Sequence, residues 1–362
     1  MSQRLEVRPF TGSPTQWNTF AKQCGASFRC AWRALALWQL DHHLLHRMRR
    51  LDIGQSVGGE WVKVGQCAVG IGRKHRVFAD SLQLLPEHGH CWTIAMEAVL
   101  LHLGPGDYHY GSQWNMEVPR QDALRDIAGL KVSGVEAITL DVVDFRQWPD
   151  WPAYLRNVSN NAKRNARRAT DSFPGMGMEL RQGLSALRSG RALWSLRARM
   201  ARRKKIDLSG ARTLLRYALR MLALDREAFT AILSVAGQPM AGFSGIDFGG
   251  RTYFLEGGSS DTNNGTNWHL LLAMLQRAFD RHPQGCLIMG AQYASQPRDE
   301  GLAFSRRQIR VIAVETSEVR FSFHPPAIRL VGGTDMMPNN ADAGTDELAA
   351  AARLGEKGLL QA

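Results

Sequence analysis

The chain has 362 residues, a length that corresponds to about two domains at roughly 150 residues each. Its 44% hydrophobic and 22% charged residues exclude disordered, collagen-like and mucin-like classes for most of the length. Lysine and arginine number 45 against 33 acidic residues, a formal charge of +12, which favours a phosphate-rich partner: a nucleotide cofactor, a nucleic acid or an anionic surface.

The opening residues "MSQRLEVRPFTGSPTQW" carry no signal-peptide core, and no apolar run approaches the roughly 20 residues that span a bilayer. A cytoplasmic protein without a transmembrane segment is expected. Cysteines at 24, 30, 67, 91 and 286 form no C-x-x-C pair and read as reduced thiols, so structural zinc is not expected. In "HHLLH", His42 and His46 have i, i+4 spacing, but no H-E-x-x-H pattern supports a metal site. The run "WVKVGQCAVGIGRK" reads as a buried strand, "RVFADSLQLL" as its antiparallel neighbour, and "CWTIAMEAVLLHLG" as a helix with Met96, Val99 and Leu100 on one stripe and Gly104 at its end. "VEAITLDV" is a further strand. Two Trp-Pro steps in "DFRQWPDWPAYL" interrupt regular structure and place a boundary near residues 144–152.

The charge excess is concentrated in two helical stretches after this boundary. "YLRNVSNNAKRNARRATDSF" predicts a helix with Leu155, Val158 and Ala162 on one side and Lys163, Arg164, Arg167 and Arg168 around the rest. After a Gly-rich break, "SALRSGRALWSLRARMARRKKIDL" repeats the theme with Arg202, Arg203, Lys204 and Lys205. Such clusters suit an RNA backbone, the 3′-phosphate of a nucleotide, or a solvated face. Residues 228–258 predict a three-strand meander with a turn at "GQP" and another at "GGR", followed by the polar loop "SSDTNNGTN" and the helix "WHLLLAMLQRAFDRH", capped by Asn264 or Thr266. "GCLIMG", "QIRVIAV" and "VRFSF" are short strands, and the Gly, Asn and Asp-rich residues after 331 form a flexible tail. Unpaired amides at the start of the 268 helix, on Gly265, Thr266, Asn267 and Trp268, form either an anion cradle or a plain capping loop. No G-x-S-x-G elbow and no Walker lysine motif occurs.

The succession of basic helix "NNAKRNARRA", meander "LSVAGQPMAGFSGIDFGGRTYFLEGGSSD", helix "GTNWHLLLAMLQRAF" and strand "GCLIMG" resembles the Fem-like branch of the GNAT acyltransferase superfamily, with its CelD/BcsL-type and BioF2-like domains, over residues 150–325. The resemblance implies a mixed α+β fold: a GNAT-like twisted mixed sheet flanked by helices, in two tandem units. Residues 1–148 would be a degenerate N-terminal unit, 149–330 the acyltransferase unit and 331–362 the tail. "VGQCAVGIG" is similar to the superfamily's phosphate loop, but Gly70 lies four positions after Gln66 where the pattern has three, so it reads as a buried strand. The aspartate and lysine that relatives carry in and after the strand following the long helix are missing here.

The implied chemistry is acyl transfer from acyl-CoA to an amine, which needs a base for the amine, a polarised carbonyl and a donor to the leaving group. Glu256, expected at a strand end beside small residues, is the first candidate base, with Asp261 and His269 as further choices; each is equally readable as a structural side chain. Tyr293 and Tyr253 are candidate donors to the leaving thiolate, or packing residues. The cofactor set is Gly265, Thr266, Asn267, Trp268 and Arg306, with Arg307 beside it, and no metal is expected. Because Fem-type relatives include enzymes that take an aminoacyl group from tRNA, an aminoacyl-tRNA donor is the alternative. A non-catalytic interaction module that keeps the fold is the rival from another class.

Overall fold

The structure, a computed structural model, describes residues 5–41, 45–114, 116, 121–205, 210–260, 265–296 and 300–326. Asp261, Asn264, His42, His43 and the expected tail lie outside the described residues. In chain order the first half contains β1 (Glu6–Pro9), α1 (Pro14–Gln23), α2 (Trp32–Asp41), β2 (Arg47–Val57), β3 (Glu60–Ile71), β4 (His75–Phe78), β5 (Gln83–Leu84), α3 (Trp92–Leu103), β6 (Gly106–Tyr110), α4 (Gln121–Arg125) and β7 (Leu130–Asp144). The second half contains α5 (Trp151–Asn157), α6 (Asn160–Ser172), β8 (Met176–Gln182), α7 (Gly190–Lys204), α8 (Gly210–Ala223), β9 (Ala228–Val235), β10 (Gln238–Phe248), β11 (Arg251–Ser259), α9 (Thr266–Arg281), β12 (Cys286–Tyr293), α10 (Glu300–Gln308) and β13 (Ile312–Phe323).

Local chemistry sets many of these limits. Ser13 and Gln16 form a reciprocal capping box at the start of α1, with Pro14 inside the first turn. Gly104, at φ 83, ends α3. Three hairpins turn on two residues with positive φ: Gly58 and Gly59 (60 and 88°), Ala236 and Gly237 (48 and 77°), and Gly249 and Gly250 (58 and 74°). These are type I′ turns, whose twist matches that of the flanking strands.

The strands form one sheet in the order β1-β2-β3-β4-β6-β13-β7-β12-β11-β10-β9-β8, with β5 on β3. Two neighbouring pairs are parallel, β4 with β6 and β11 with β12. The order β1-α1-α2-β2-β3-β4-α3-β6 is repeated as β8-α7-α8-β9-β10-β11-α9-β12, so the chain contains two units of one plan. Their last strands are exchanged: β7 joins β12, β13 joins β6, and β7 and β13 pair with each other from Ile312↔Val142 to Phe323↔Leu130. The division expected at 148 therefore cuts across the sheet, because β13 lies between two strands of the first half.

Helices α1, α2, α7 and α8 cover one face, where Ala34, Leu193, Tyr217 and Met221 meet Leu140, Ile246 and Ile288. On the opposite face α5, α6 and α9 bury Tyr154, Ala162, Leu270 and Leu275 against Val143, Phe229 and Leu287. Burial of each such leucine contributes about 1.5–3 kcal/mol. The first half packs α3 through Ala95, Met96, Val99 and Leu100 against Leu51, Ile53 and Val64. Gln66 is fully buried in β3, donating to Trp17 O (3.1 Å) and Gln83 Oε1 (2.8 Å), which agrees with a structural strand at "VGQCAVGIG". All five cysteines are buried and none forms a disulfide.

Several elements differ from expectation. Pro152 starts α5 instead of interrupting structure, because Asp150 caps the helix and a first-turn proline gives up no hydrogen bond. The single basic helix expected over 154–173 is broken at Val158, and Ser159 caps a new helix, α6. The Gly-rich break holds the edge strand β8, and α8 and α10 had not been identified. "QIRVIAV" and "VRFSF" are not two strands, since β13 runs unbroken from Ile312.

Candidate active site

Strands β11 and β12 are paired only through Arg251↔Cys286, Thr252↔Leu287 and Tyr253↔Ile288. Beyond that point β11 follows β10 and β12 follows β7, so the two part and residues 254–259 face residues 289–293 across a wedge. Bulges redirect both sides: the β10–β11 register slips after Ser244↔Glu256, and the β12–β7 register slips between Ile288 and Gly290. A wedge of this kind leaves strand-edge N–H and C=O groups open to an extended ligand.

The start of α9 lies at the end of the β11 side. Gly265 caps it in the left-handed region, at φ 76. A Cβ there would run into the carbonyl oxygen of Asn165 on α6, so the close approach of the two helices requires glycine. Gly265 and Thr266 are consequently buried under α6, not open as expected, whereas Asn267 is exposed and Trp268 and His269 are half-buried. The Nδ1 atom of His269 sits 3.3 Å from Thr170 Oγ1 of α6.

Helix α6 can lie this close because its inner side is small: Ala162, Ala166 and Ala169 are buried. Its other side is an outward face that carries Asn161, Lys163, Arg164, Arg167, Arg168 and Asp171. Lys163 Nζ donates to the carbonyls of Leu155 and Arg156 (3.3 and 3.2 Å), closing the end of α5. From α7, Arg203 donates to Ser259 O (3.0 Å) and to Ser260 O, gripping the end of β11.

Glu256 is placed differently from the strand-end base expected. It lies inside β11, 7% exposed, with Oε2 2.9 Å from Arg197 of α7 and Oε1 2.9 Å from Arg220 of α8. Burial raises its pKa, but the charges and hydrogen bonds of Arg220 and Arg197 outweigh that and leave it below the ordinary carboxylate value. A carboxylate held so is anionic at neutral pH and a weak proton acceptor. Arg306, expected on a phosphate, donates to the Met289 carbonyl at 2.9 Å and pairs with Asp141, fixing the bulged side of the wedge; burial lowers its pKa to about 10. Tyr253, where the strands part, is buried edge-on against Phe28 and Trp114, with ring centroids 5.0 and 6.0 Å away.

Tyr293 closes β12, and its hydroxyl donates to Glu318 Oε1 of β13 at 3.2 Å. Burial raises its pKa, and Glu318 adds to the effect. The structure thus gathers Tyr293 and Arg306 on the β12 side and Asn267 and Trp268 at the start of α9, with Glu256 on the α7 and α8 side. Sequence reasoning missed Arg197, Arg220 and Glu318, and it placed Arg203 in a phosphate-binding cluster where the structure has it on the end of β11. A signal existed for Arg197 alone: it falls on the apolar stripe of Leu193, Leu196 and Ala201, where an unpaired charge is costly. Among the described residues no group of three or more His, Cys, Asp or Glu is arranged to hold a metal ion, and no helix is long and apolar enough to cross a membrane.

No protein-family model matches the sequence, and no curated protein does. Among solved structures, that of FemX is similar over 86% of this chain and 96% of its own length, at 11% identity and a TM-score of 0.66. A conserved protein of unknown function from Bacteroides thetaiotaomicron VPI-5482 matches 88% of this chain and 99% of its own, with 11% identity and a TM-score of 0.53. A tandem GNAT protein from the clavulanic acid biosynthesis pathway covers 88% and 98%, with 11% identity and a TM-score of 0.44. The chain therefore has the Fem-type fold, a mixed α+β sheet flanked by helices, as the resemblance implied, and the likeness extends over both halves.

Proposed function

We propose that this protein transfers an acyl or aminoacyl group to an amine. The observation that supports this most directly is the parting of β11 and β12 after Tyr253↔Ile288 within a FemX-like sheet. Acyl-CoA is the first donor we consider. Its pantetheine arm suits the open strand edges of 254–259 and 289–293, and its pyrophosphate suits the start of α9 at Asn267 and Trp268, where a helix N-terminus favours anions. Gly265 and Thr266 would then shape the turn under α6, Arg306 would hold the wedge open, and Glu256 would anchor α7 and α8 to it.

The basic outer face of α6 favours a second donor, an aminoacyl-tRNA, because Arg164, Arg167 and Arg168 extend the positive surface well beyond what one pyrophosphate needs. Both donors are cytoplasmic molecules, and we assign the protein to that compartment. A thermal-shift titration with acetyl-CoA, beside filter binding of tRNA over a salt series, tests the proposal. Ligand at about a hundredfold above Kd stabilises a fold by about 2.7 kcal/mol. One donor is expected to bind; if neither does, the transferase reading falls and a non-catalytic module replaces it.

A further inference from the structure

On the face of the sheet covered elsewhere by α1, α2, α7 and α8, the exchange of β7 and β13 brings together side chains that are far apart in sequence. Glu318 of β13 is central. Its Oε1 receives the Tyr293 hydroxyl and its Oε2 lies 3.2 Å from His109 Nε2 of β6. Its side chain remains 17% exposed, so it is held in place yet reaches solvent. Glu136 of β7 is directly opposite Glu318, with Ser295 donating to its Oε1 at 2.9 Å. Like charges directly opposite on neighbouring strands are unfavourable, and a cation between them would relieve this.

A second observation points to the same face. Thr316 is 4% exposed and its Oγ1 has no hydrogen-bond partner. Two residues from Glu318 on one strand, it points to the same face. It also lies in one row with Tyr293, since Thr316 is opposite Ile138 and Ile138 is opposite Tyr293. A buried hydroxyl without a partner costs free energy unless a ligand or water completes it. Basic side chains near this patch include His109, beside Glu318, and Arg29, which acts on Tyr293 from the turn before α2.

We propose that this face is the amine half of the transfer site: Glu318 binds the ammonium of the acceptor and takes its proton, Thr316 completes the nitrogen's hydrogen bonds, and Tyr293 and His109 position the carboxylate. This rests on the transferase reading above. The ammonium gives one proton to Glu318, and the freed nitrogen lone pair attacks the acyl carbonyl carbon. The C–N bond forms while the bond from that carbon to the donor's sulfur or oxygen breaks, its electron pair leaving with the heteroatom. The second amine proton ends on that atom. Tyr293 links this face to the wedge, because it belongs to the strand that forms one of its sides.

Calorimetric titration of the full chain with Nα-acetyl-lysine amide, and with Nα-acetyl-norleucine amide as a chain of similar length without the amine, tests this. The lysine probe is expected to bind and the norleucine probe not. Glu318→Gln is expected to weaken the lysine probe about tenfold or more, and Thr316→Val severalfold. Unchanged affinity in Glu318→Gln, equal binding of both probes, or no binding of the lysine probe overturns the proposal. Should Glu318→Gln not fold, Thr316→Val decides, because it removes a hydroxyl that bonds nothing: a severalfold loss supports the proposal and none refutes it. Donor binding is measured on the same samples. Donor bound with lysine affinity insensitive to Glu318 refutes the amine site alone, whereas a Glu318-dependent lysine site with neither donor bound refutes the transferase reading alone.

Discussion

Glu256 shows how one side chain is defined by partners that its neighbours in sequence do not reveal. Nothing in "TYFLEGGSS" indicates that two guanidiniums, from Arg197 and Arg220, converge on it at 2.9 Å each. Removing it with Glu256→Ala leaves two cations in a place built for a paired charge, and a loss of about 3–5 kcal/mol in denaturant unfolding is expected. The acid limb of stability carries the same signature. Because the folded pKa lies below the ordinary value, the contribution is fully present above the unfolded pKa and is lost as pH falls through the lowered folded one. Glu256→Gln should flatten that limb; an unchanged acid profile would contradict the assignment. The same blindness applied to Arg306 in "FSRRQ", expected on a cofactor phosphate, which instead bonds Met289 O inside the wedge.

Elements were legible where their signal is local. The meander β9–β11, helix α9 and helix α3 follow from turn residues and apolar spacing, and all three are found close to their expected places. Helices α8 and α10 were missed because α8 begins within a few residues of a basic run and α10 is a short helix of nine residues between strands. Edge strand β8 was missed because its residues are mostly exposed and show no buried alternation. The turns allow a comparison. Ala236 sits at φ 48, in the left-handed region, so Ala236→Asn, which creates the Asn-Gly pair preferred in type I′ turns, should raise stability by about 0.5–1 kcal/mol. Gly249→Ala should lower it by more than the roughly 1 kcal/mol of left-handed strain alone, since its Cβ would run into the Ala26 carbonyl. Equal and opposite shifts in melting temperature would show that the Ala26 contact is unimportant.

At the scale of the molecule, five tyrosines buried in the sheet or under its helices share one electrostatic fate. Burial raises Tyr108 to about 12 and pushes Tyr154, Tyr217, Tyr253 and Tyr293 up as well. An unfolded tyrosine titrates near 10, so the folded state keeps protons that the unfolded state gives up. On the alkaline side, stability is therefore unaffected by these groups up to about pH 10 and declines above it as the unfolded chain ionises. Tyrosinate absorbance is expected to rise together with loss of far-ultraviolet dichroism, and early ionisation of all five in an intact fold would refute this. The sequence alone determined the meander and the long helix after it, and the concentration of positive charge before them, because turn chemistry, apolar period and charge runs are written within a few residues; the Fem-type plan came from the family resemblance that those elements carry. Only the tertiary structure decided that β7 and β13 exchange sides, that α6 covers Gly265, and that Tyr293, Glu318 and His109 meet. Those outcomes depend on strand order and register, which are set by pairing and burial between segments far apart in the chain, as with Phe323 and Gly106.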